Sequence, residues 1–175
     1  GARAIRSLNH LSATTPVGIW GFSQGGGAAY VGAALQPTYA PDVNLKVSYA
    51  GAPPIDLIPT LQKVEGGALS GLIGYGVNGF AGTYPEVRKA VEENINTSGR
   101  KNLAKLANSC VADTLFGYAY QDTGKWTHDG KPLVEFLQKY PEVVKVFDDQ
   151  RAASVPTPKA RVVLYANPHD AVVPY

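Results

Sequence analysis

The stretch that decides the fold runs from residue 18 to residue 29 and consists of Gly18-Ile19-Trp20-Gly21-Phe22-Ser23-Gln24-Gly25-Gly26-Gly27-Ala28-Ala29. It contains the pattern G-x-S-x-G at Gly21, Ser23 and Gly25. The apolar run at 16–20 predicts a buried strand before the serine, and the small, apolar residues at 24–35 predict a closely packed helix after it. Strand, sharp turn and helix form the context in which this pattern exposes a reactive serine, the arrangement called a nucleophile elbow.

The elbow assigns a chemical role to each residue around the serine. Ser23 is the candidate nucleophile, and we expect a side chain at Gly21 or Gly25 to collide with the adjoining strand or helix. The free N–H groups and the positive dipole end of the following helix point towards the reaction centre. The backbone N–H of Gln24 is therefore the candidate oxyanion-hole donor. The alternative is a glycine-rich turn that contains a serine by chance.

The composition excludes several classes of protein. The chain has 175 residues, of which 45% are hydrophobic and 17% charged, and this is sufficient for an ordinary globular core. A net charge of +2 without a run of Lys or Arg gives no support to nucleic-acid binding. No apolar run approaches the roughly 18 residues that a membrane span needs.

The ends of the sequence and its cysteine content suggest a piece of a longer protein. The chain contains no Met, and residues 1–8 resemble the middle or end of a helix. We therefore expect any signal peptide to lie upstream of Gly1. Cys110 is the only cysteine, so it is either a buried free thiol or half of a disulfide whose partner lies elsewhere.

The order of predicted elements indicates an α/β fold with a parallel sheet. A helix at 1–9 that turns Ile5 and Leu8 towards the sheet precedes strands at 16–20, 45–50 and 160–166, with the elbow helix at 24–35. About a hundred residues separate the last two strands, far more than a simple crossover needs. The predicted organisation is a core at 1–54, a mostly helical cap at 55–153 and a return to the core at 154–175. The helices predicted in the cap cover residues 55–64, 85–95, 102–115, 132–140 and 141–149.

One segment of the predicted cap, residues 68–82, is apolar, rich in glycine and uncharged. One interpretation is a helix buried against the main domain. The other is an apolar tunnel for an acyl chain, with glycines that allow movement. Both can hold at once. The residues that would line the tunnel are Leu69, Leu72, Ile73, Tyr75, Val77 and Phe80.

Asp170 follows the last predicted strand, where a parallel sheet carries its chemistry. It is the candidate acid that would hold the tautomer of a catalytic histidine, and the alternative is an Asp that caps a turn. None of the three histidines in the sequence is an evident candidate for the catalytic base that Asp170 would hold. His169 adjoins Asp170 and should diverge from the same loop, whereas His128 and His10 fit surface turns. The three histidines lack the neighbouring ligands and spacing of a metal site.

These residues also carry a resemblance. The elbow at 16–29 is similar to that of the secretory lipase family, within the α/β-hydrolase superfamily. Residues 39–57, the glycine-rich run to Pro85 and residues 167–175 are similar as well. The resemblance covers essentially the whole chain, and the separation of Ser23 from Asp170 fits a helical cap between nucleophile and acid. Two departures are Phe22, where Tyr is common, and Asn167, where Gly is usual.

The resemblance implies a secreted triacylglycerol lipase or carboxylesterase that needs no metal or cofactor. Ser23 would be the nucleophile, Asp170 the acid and the Gln24 amide an oxyanion donor. The catalytic histidine would lie beyond Tyr175, and the second oxyanion group upstream of Gly1. Its partners would be a lipid or small ester and, transiently, a lipid interface, with no nucleic acid. The alternatives are a short-chain or non-lipid esterase of the same fold and a non-catalytic binding module.

Overall fold

The computed structural model describes residues 1–175, which divide into two compact units. The sheet unit comprises Gly1–Ile55 and Arg151–Val173, with Tyr175. The helical unit comprises Asp56–Gln150, with Pro174. Between residues 1 and 173 the chain thus leaves the sheet unit once and returns to it once. The backbone N–H of Ala152 donates to the carbonyl of Ile55 at 3.0 Å, so the points of exit and return lie side by side.

The sheet unit contains three parallel strands in the order β1-β2-β3. The strands are β1 (Val17–Phe22), β2 (Leu45–Gly51) and β3 (Arg161–Tyr165), and the helices of this unit are α1 (Ala2–Leu8) and α2 (Gln24–Tyr39). The central strand is the second in sequence, and its partner β3 follows the whole helical unit. The predicted parallel α/β sheet and the three predicted strands are confirmed, with small shifts at the ends.

Helix α2 covers one face of this sheet at short range. Gly26 lies so near the carbonyl oxygen of Gly51 that a β-carbon would clash with backbone. The buried hydroxyl of Ser48 donates to the carbonyl of Ala29 at 2.9 Å. The expected close approach of helix and sheet is therefore correct, and a strand hydroxyl contributes to it.

The opposite face of the sheet is open in the sheet unit. Trp20 is 73% exposed and Phe22 is 56% exposed, although β1 was expected to be buried. That expectation is wrong for this face because nothing in the unit covers it, while Val17 and Ile19 on the α2 side are half-buried. The expected contact of α1 with the sheet through Ile5 and Leu8 is also wrong, since both side chains are exposed.

The helical unit is built around α4 (Gly71–Thr83), which packs chiefly on α5 (Pro85–Asn94) and α6 (Thr97–Leu106). The other helices are α3 (Leu57–Val64), α7 (Val111–Gly117), α8 (Leu133–Leu137) and α9 (Pro141–Asp149). Short 3₁₀ helices occupy Thr123–Trp126 and, in the sheet unit, Ala152–Ser154. No helix in the chain combines the length and the apolar character that a bilayer span requires.

The single helix predicted over 102–115 is two helices, and this prediction is wrong. Helix α6 ends at Leu106, and α7 begins at Val111 after a turn. Cys110 has extended backbone angles at the start of α7, and the carboxylate of Asp113 accepts its backbone N–H at 3.3 Å. This local cap starts a new helix inside a run whose apolar spacing is compatible with one continuous helix.

Candidate active site

Ser23 occupies the turn between β1 and α2. Its backbone angles are φ 55° and ψ −121°, and a positive φ is uncommon for a residue with a side chain. Such a conformation costs roughly 1–3 kcal/mol and persists only where surrounding contacts enforce it. The carbonyl of Ser23 accepts the N–H of Gly27 at 3.0 Å, so α2 starts immediately after the serine. The side chain is half-buried at this corner.

The glycines of the pattern act unequally in forming this turn. A β-carbon on Gly21 would fall far inside van der Waals contact with the carbonyl oxygen of Gly25. A β-carbon on Gly25 would meet nothing within 4 Å, so the expected collision at Gly25 does not occur. The close approach on the helix side belongs to Gly26, next to Gly51. The turn thus needs glycine at 21 and 26.

The backbone amides at the turn have distinct partners. The N–H of Ser23 donates to the carbonyl of Gly51 at 2.8 Å, which ties the serine to the end of β2. Gln24 is the first residue of α2, where an amide has no acceptor within the helix. The amides of Gly25 and Gly26 share this property, because the first bond of the helix is the one from Gly27 to Ser23. The Gln24 amide thus stays the candidate oxyanion donor by its position next to the serine. Sequence reasoning treated Gly51 only as the end of a strand, although its pairing with Phe22 places it beside the elbow.

Asp170 lies five residues after β3, in a turn that its own carboxylate organises. One oxygen, Oδ1, accepts the backbone N–H groups of Val172 at 2.8 Å and Val173 at 2.9 Å. The preceding Asn167 stabilises the same loop, because its Oδ1 accepts the N–H of His169 at 2.9 Å and its carbonyl accepts that of Asp170 at 3.0 Å. Asp170 therefore caps a turn, and its role as the acid stays a prediction.

Ser23 and Asp170 follow the carboxyl ends of parallel strands, so they belong to the same edge of the sheet. One strand, β2, separates β1 from β3, which places those strands roughly 10 Å apart. This edge is where parallel α/β sheets carry their ligands. The placement is compatible with a nucleophile and an acid that act through a third group between them.

The three histidines lie in different surroundings. His169 is exposed on the loop of Asp170. His10 has φ 52° and lies before β1, on the chain that enters the opposite edge of the sheet. His128 belongs to the helical unit, where its N–H donates to the carbonyl of Asn94 at 2.9 Å. No group of three or more His, Cys, Asp or Glu side chains in the chain could hold a metal ion.

The six candidate acyl-site residues lie on α4 or just before it, and they differ in burial. Ile73 and Val77 are 0% and 2% exposed, in the interior of the helical unit. The hydroxyl of Tyr75 donates to the carbonyl of Ser109 at 2.7 Å. Phe80 contacts the ring of Phe147 at 4.6 Å between centroids. Leu69 and Leu72 are half-buried. Ile73 and Val77 are thus buried within the helical unit itself, and both burial against the main domain and the acyl tunnel stay predictions.

An apolar pocket of about 360 Å³ lies in the sheet unit, away from the serine. Val17 and Leu45, at the start of their strands, line it together with Leu35 and Tyr39 near the end of α2. Ser23 and Asp170 are at the other edge of the sheet. The pocket therefore takes no part in the candidate site.

The family model described as secretory lipase matches residues 1–175, the whole chain. The chain belongs to the secretory lipase family. The predicted family is thereby confirmed. Relatives of the chain include a protein of Mycobacterium tuberculosis named probable inactive lipase, 34% identical over 87% of the chain and 34% of the relative. A protein of Malassezia furfur named secreted triacylglycerol lipase is 29% identical over 99% of the chain and 36% of the relative.

The chain also matches solved structures across its full length. The X-ray structure of Candida antarctica lipase A superposes with a TM-score of 0.87 at 22% identity, covering 100% of this chain and 41% of that one. The closed state of the same lipase gives 0.86. The α/β-hydrolase fold class, as part of the core with a helical insertion, is confirmed. The chain spans about a third of the length of the curated relatives named above, 34% and 36%.

Proposed function

We propose that this chain carries the nucleophile and the acid of a serine ester hydrolase that cleaves acylglycerols or related lipid esters. The single observation that carries the proposal is the enforced geometry of Ser23. This serine has a positive φ at the end of a parallel strand, and a helix begins at the next residue. Family membership and relatives named triacylglycerol lipases support an ester of a lipid as the substrate.

The proposed reaction is acyl transfer through a covalent intermediate. The Ser23 Oγ attacks the ester carbonyl carbon as a histidine takes its proton. The resulting oxyanion accepts a hydrogen bond from the Gln24 N–H, and this interaction stabilises the transition state. Collapse expels the alcohol, which takes the proton from the histidine, and leaves an acyl-enzyme. Water then attacks the ester of Ser23 and releases the fatty acid, again with the histidine as proton carrier.

Asp170 would hold the histidine by accepting its Nδ1–H and by stabilising the imidazolium. We assign the base to a histidine outside residues 1–175, since the curated relatives are about three times as long. In the triad order of this fold the histidine follows the acid, and residues 171–175 contain none. The proposal includes Leu69, Leu72, Ile73, Tyr75, Val77 and Phe80 as the acyl site. It also includes an extracellular location, since several relatives are named secreted lipases.

A non-catalytic module of the same fold is a second candidate function. The relative that is 34% identical is named a probable inactive lipase, so this family includes a member described as lacking activity. The presence of both Ser23 and Asp170 favours the enzyme. A binding module has no chemical need for a serine in a strained conformation that costs stability.

The test uses the natural protein, meaning the full polypeptide that contains residues 1–175. Hydrolysis of p-nitrophenyl esters with short, medium and long acyl chains is compared for wild type, Ser23→Ala and the control Ser7→Ala on exposed α1. We expect Ser23→Ala alone to abolish turnover with an unchanged circular dichroism spectrum. Long-chain turnover identifies a lipase, and short-chain turnover alone an esterase. Turnover that survives in Ser23→Ala rejects the nucleophile, and no turnover in any form favours the binding module.

A further inference from the structure

One fully buried polar side chain of the sheet unit has no part in the proposed reaction. Ser48, in the middle of β2, is 0% exposed, and its hydroxyl donates to the carbonyl of Ala29 in α2 at 2.9 Å. Ala29 is buried as well, so residues of this chain already enclose the contact. A helix usually packs on a sheet through apolar side chains, and a buried hydroxyl costs free energy unless it forms a hydrogen bond. The hydroxyl at this place therefore needs a reason.

The strand and the helix present small residues to each other around this bond. Ala50 lies two residues beyond Ser48, on the same face of β2, and is also fully buried. The buried residues of α2 are Gly26, Ala29, Ala33 and Ala34. Small side chains form shallow ridges and grooves, so apolar packing alone gives little resistance to sliding of the helix along the strand. A hydrogen bond depends steeply on distance and direction, and the bond from Ser48 therefore fixes α2 along β2.

Strand β2 thus holds the chain on both sides of Ser23. On one side, the N–H of Ser23 itself donates to the carbonyl of Gly51, at the end of the strand. On the other side, α2 begins at Gln24 and is bonded to β2 again at Ala29, roughly 7.5 Å further along the helix axis. Rotation about φ or ψ of Ser23 turns the helix relative to the strand, so the bond at Ala29 opposes it. The unfavourable positive φ of 55° persists under constraints of this kind.

The close approach of Gly26 to Gly51 does not replace the bond from Ser48. It brings the helix so near the backbone of β2 that a β-carbon would clash, and it thereby limits how much closer α2 can come. Repulsion of this kind does not stop the helix from moving away or along the strand. The hydroxyl of Ser48 supplies the attraction that does.

We propose that Ser48 is a positioning residue, which holds α2 so that the Gln24 N–H points at the oxyanion. The inference rests on the proposed ester hydrolase, because it concerns the oxyanion donor of that reaction. The angle ψ of Ser23 rotates the peptide between Ser23 and Gln24, so it sets the direction of the Gln24 N–H. A donor stabilises the transition state only when it points at the developing negative charge. Loss of the Ser48 hydroxyl therefore slows the chemical step, although this buried residue does not contact the substrate.

The experiment compares Ser48→Ala with Thr127→Val in the natural protein. Thr127 is a matched buried hydroxyl in the helical unit, since it is 4% exposed and donates to the carbonyl of Lys131 at 2.8 Å. The substrates are a p-nitrophenyl ester and the thionoester in which sulfur replaces its carbonyl oxygen. Sulfur is a weak hydrogen-bond acceptor, so turnover of the thionoester depends less on the Gln24 N–H.

We expect Ser48→Ala to lower kcat for the ester roughly tenfold with an unchanged KM. Its kcat for the thionoester should fall less, so the ratio of ester to thionoester turnover decreases. Thr127→Val should lower the Tm through its lost hydrogen bond and leave both kcat values as in wild type. Ser48→Cys retains a weak donor, so its ratio should lie between those of Ser48→Ala and wild type.

A wild-type ratio of ester to thionoester turnover in folded Ser48→Ala overturns the proposal, and so does an equal decrease in Thr127→Val. If Ser48→Ala does not fold, a wild-type ratio in Ser48→Cys overturns it instead. Failure of the proposed function has a different result, since the wild type then shows no turnover that depends on Ser23. Turnover that depends on Ser23, together with an unchanged ratio in Ser48→Ala, leaves the proposed function standing and removes this inference alone.

Discussion

The α-carbon of Gly21 faces the carbonyl oxygen of Gly25 across the turn that presents Ser23, at a separation that excludes even a methyl group. Both groups are backbone, so neither can rotate aside as a side chain would. Gly25 itself faces open space. The two glycines of one pattern therefore differ in what they do for the turn.

Gly21→Ala and Gly25→Ala form a matched pair that tests this difference. We expect Gly21→Ala to lower the free energy of unfolding by roughly 3 kcal/mol or more, because the new methyl group meets backbone. Gly25→Ala should change it by no more than about 1 kcal/mol, since alanine is favoured in a helix. Thermal and urea unfolding of the natural protein give both values. Equal losses in the two variants would contradict the geometry.

Two substitutions of Asp170 distinguish the effect of its negative charge from the effect of its hydrogen bonds within the loop. Asparagine retains an oxygen that can accept the N–H groups of Val172 and Val173, so Asp170→Asn should keep the loop. It lacks the charge that stabilises an imidazolium, and we expect kcat to fall by roughly three to four orders of magnitude. Asp170→Ala should add a loss of stability of about 1–2 kcal/mol. A kcat near that of wild type in Asp170→Asn would remove this residue from the mechanism.

Two glycines of α4 test whether this glycine-rich helix is built for packing. A β-carbon at Gly74 would clash with the Leu106 side chain, which is fully buried and has little room to move. Gly74→Ala should therefore destabilise the protein by about 1–3 kcal/mol. Gly79 has nothing within 4 Å of the corresponding position, so Gly79→Ala should be neutral or stabilising by up to about 1 kcal/mol. Chemical unfolding measures both, and a stable Gly74→Ala would show that α6 yields easily.

Removal of one buried hydroxyl in the helical unit, that of Thr123, should lower the free energy of unfolding. The Thr123 hydroxyl donates to Glu65 at 2.7 Å and accepts the Leu133 N–H at 2.9 Å. Thr123→Val keeps the shape and leaves that N–H and the carboxylate without this partner, so we expect a loss of about 1–3 kcal/mol. Thr83→Val, at an exposed site on α4, is the control. Unfolding curves for the two variants that coincide would refute this role for Thr123.

The attachment of α1 should depend on pH. Hydrogen bonds from the Arg3 guanidinium, aided by Arg6, hold the pKa of the Asp42 carboxyl well below its ordinary value. A lowered folded pKa contributes stability above the unfolded value of about 3.9, and this contribution is lost as the pH falls below it. Asp42→Asn should thus lower Tm at neutral pH. The difference from wild type should shrink below about pH 4, and a difference constant down to strong acid would exclude this origin.

Sequence patterns predicted the elements whose signals are local. The three strands and α2 follow from short apolar runs, and the turn at Ser23 follows from the glycines around it. The break before α7 was missed because Cys110 and Asp113 form the cap, a pairing that apolar spacing does not register. The exposure of Trp20 could not be predicted, since burial of a strand face depends on what packs against it from elsewhere.

The candidate site also contains some features that local sequence patterns predict and others that depend on contacts between distant segments. Ser23 and Gln24 are candidates from one continuous motif, and Asp170 is a candidate from its place after a strand. The bond from Ser23 to Gly51 and the role of Gly26 depend on how β2 aligns with β1, which only the register reveals. The burial of Thr114 on α7 also lies outside sequence patterns, because its hydroxyl hydrogen-bonds that of Tyr75, which is distant in the sequence.

The hydrogen bond between Ala152 and Ile55 has an evolutionary consequence. It joins the two points at which the segment Asp56–Gln150 is connected to the sheet unit, so both ends of this segment lie at one place. Insertions whose ends lie close together are tolerated with little loss of stability. Lineages can therefore lengthen, shorten or replace this segment as a cassette while the register of β2 and β3 is preserved.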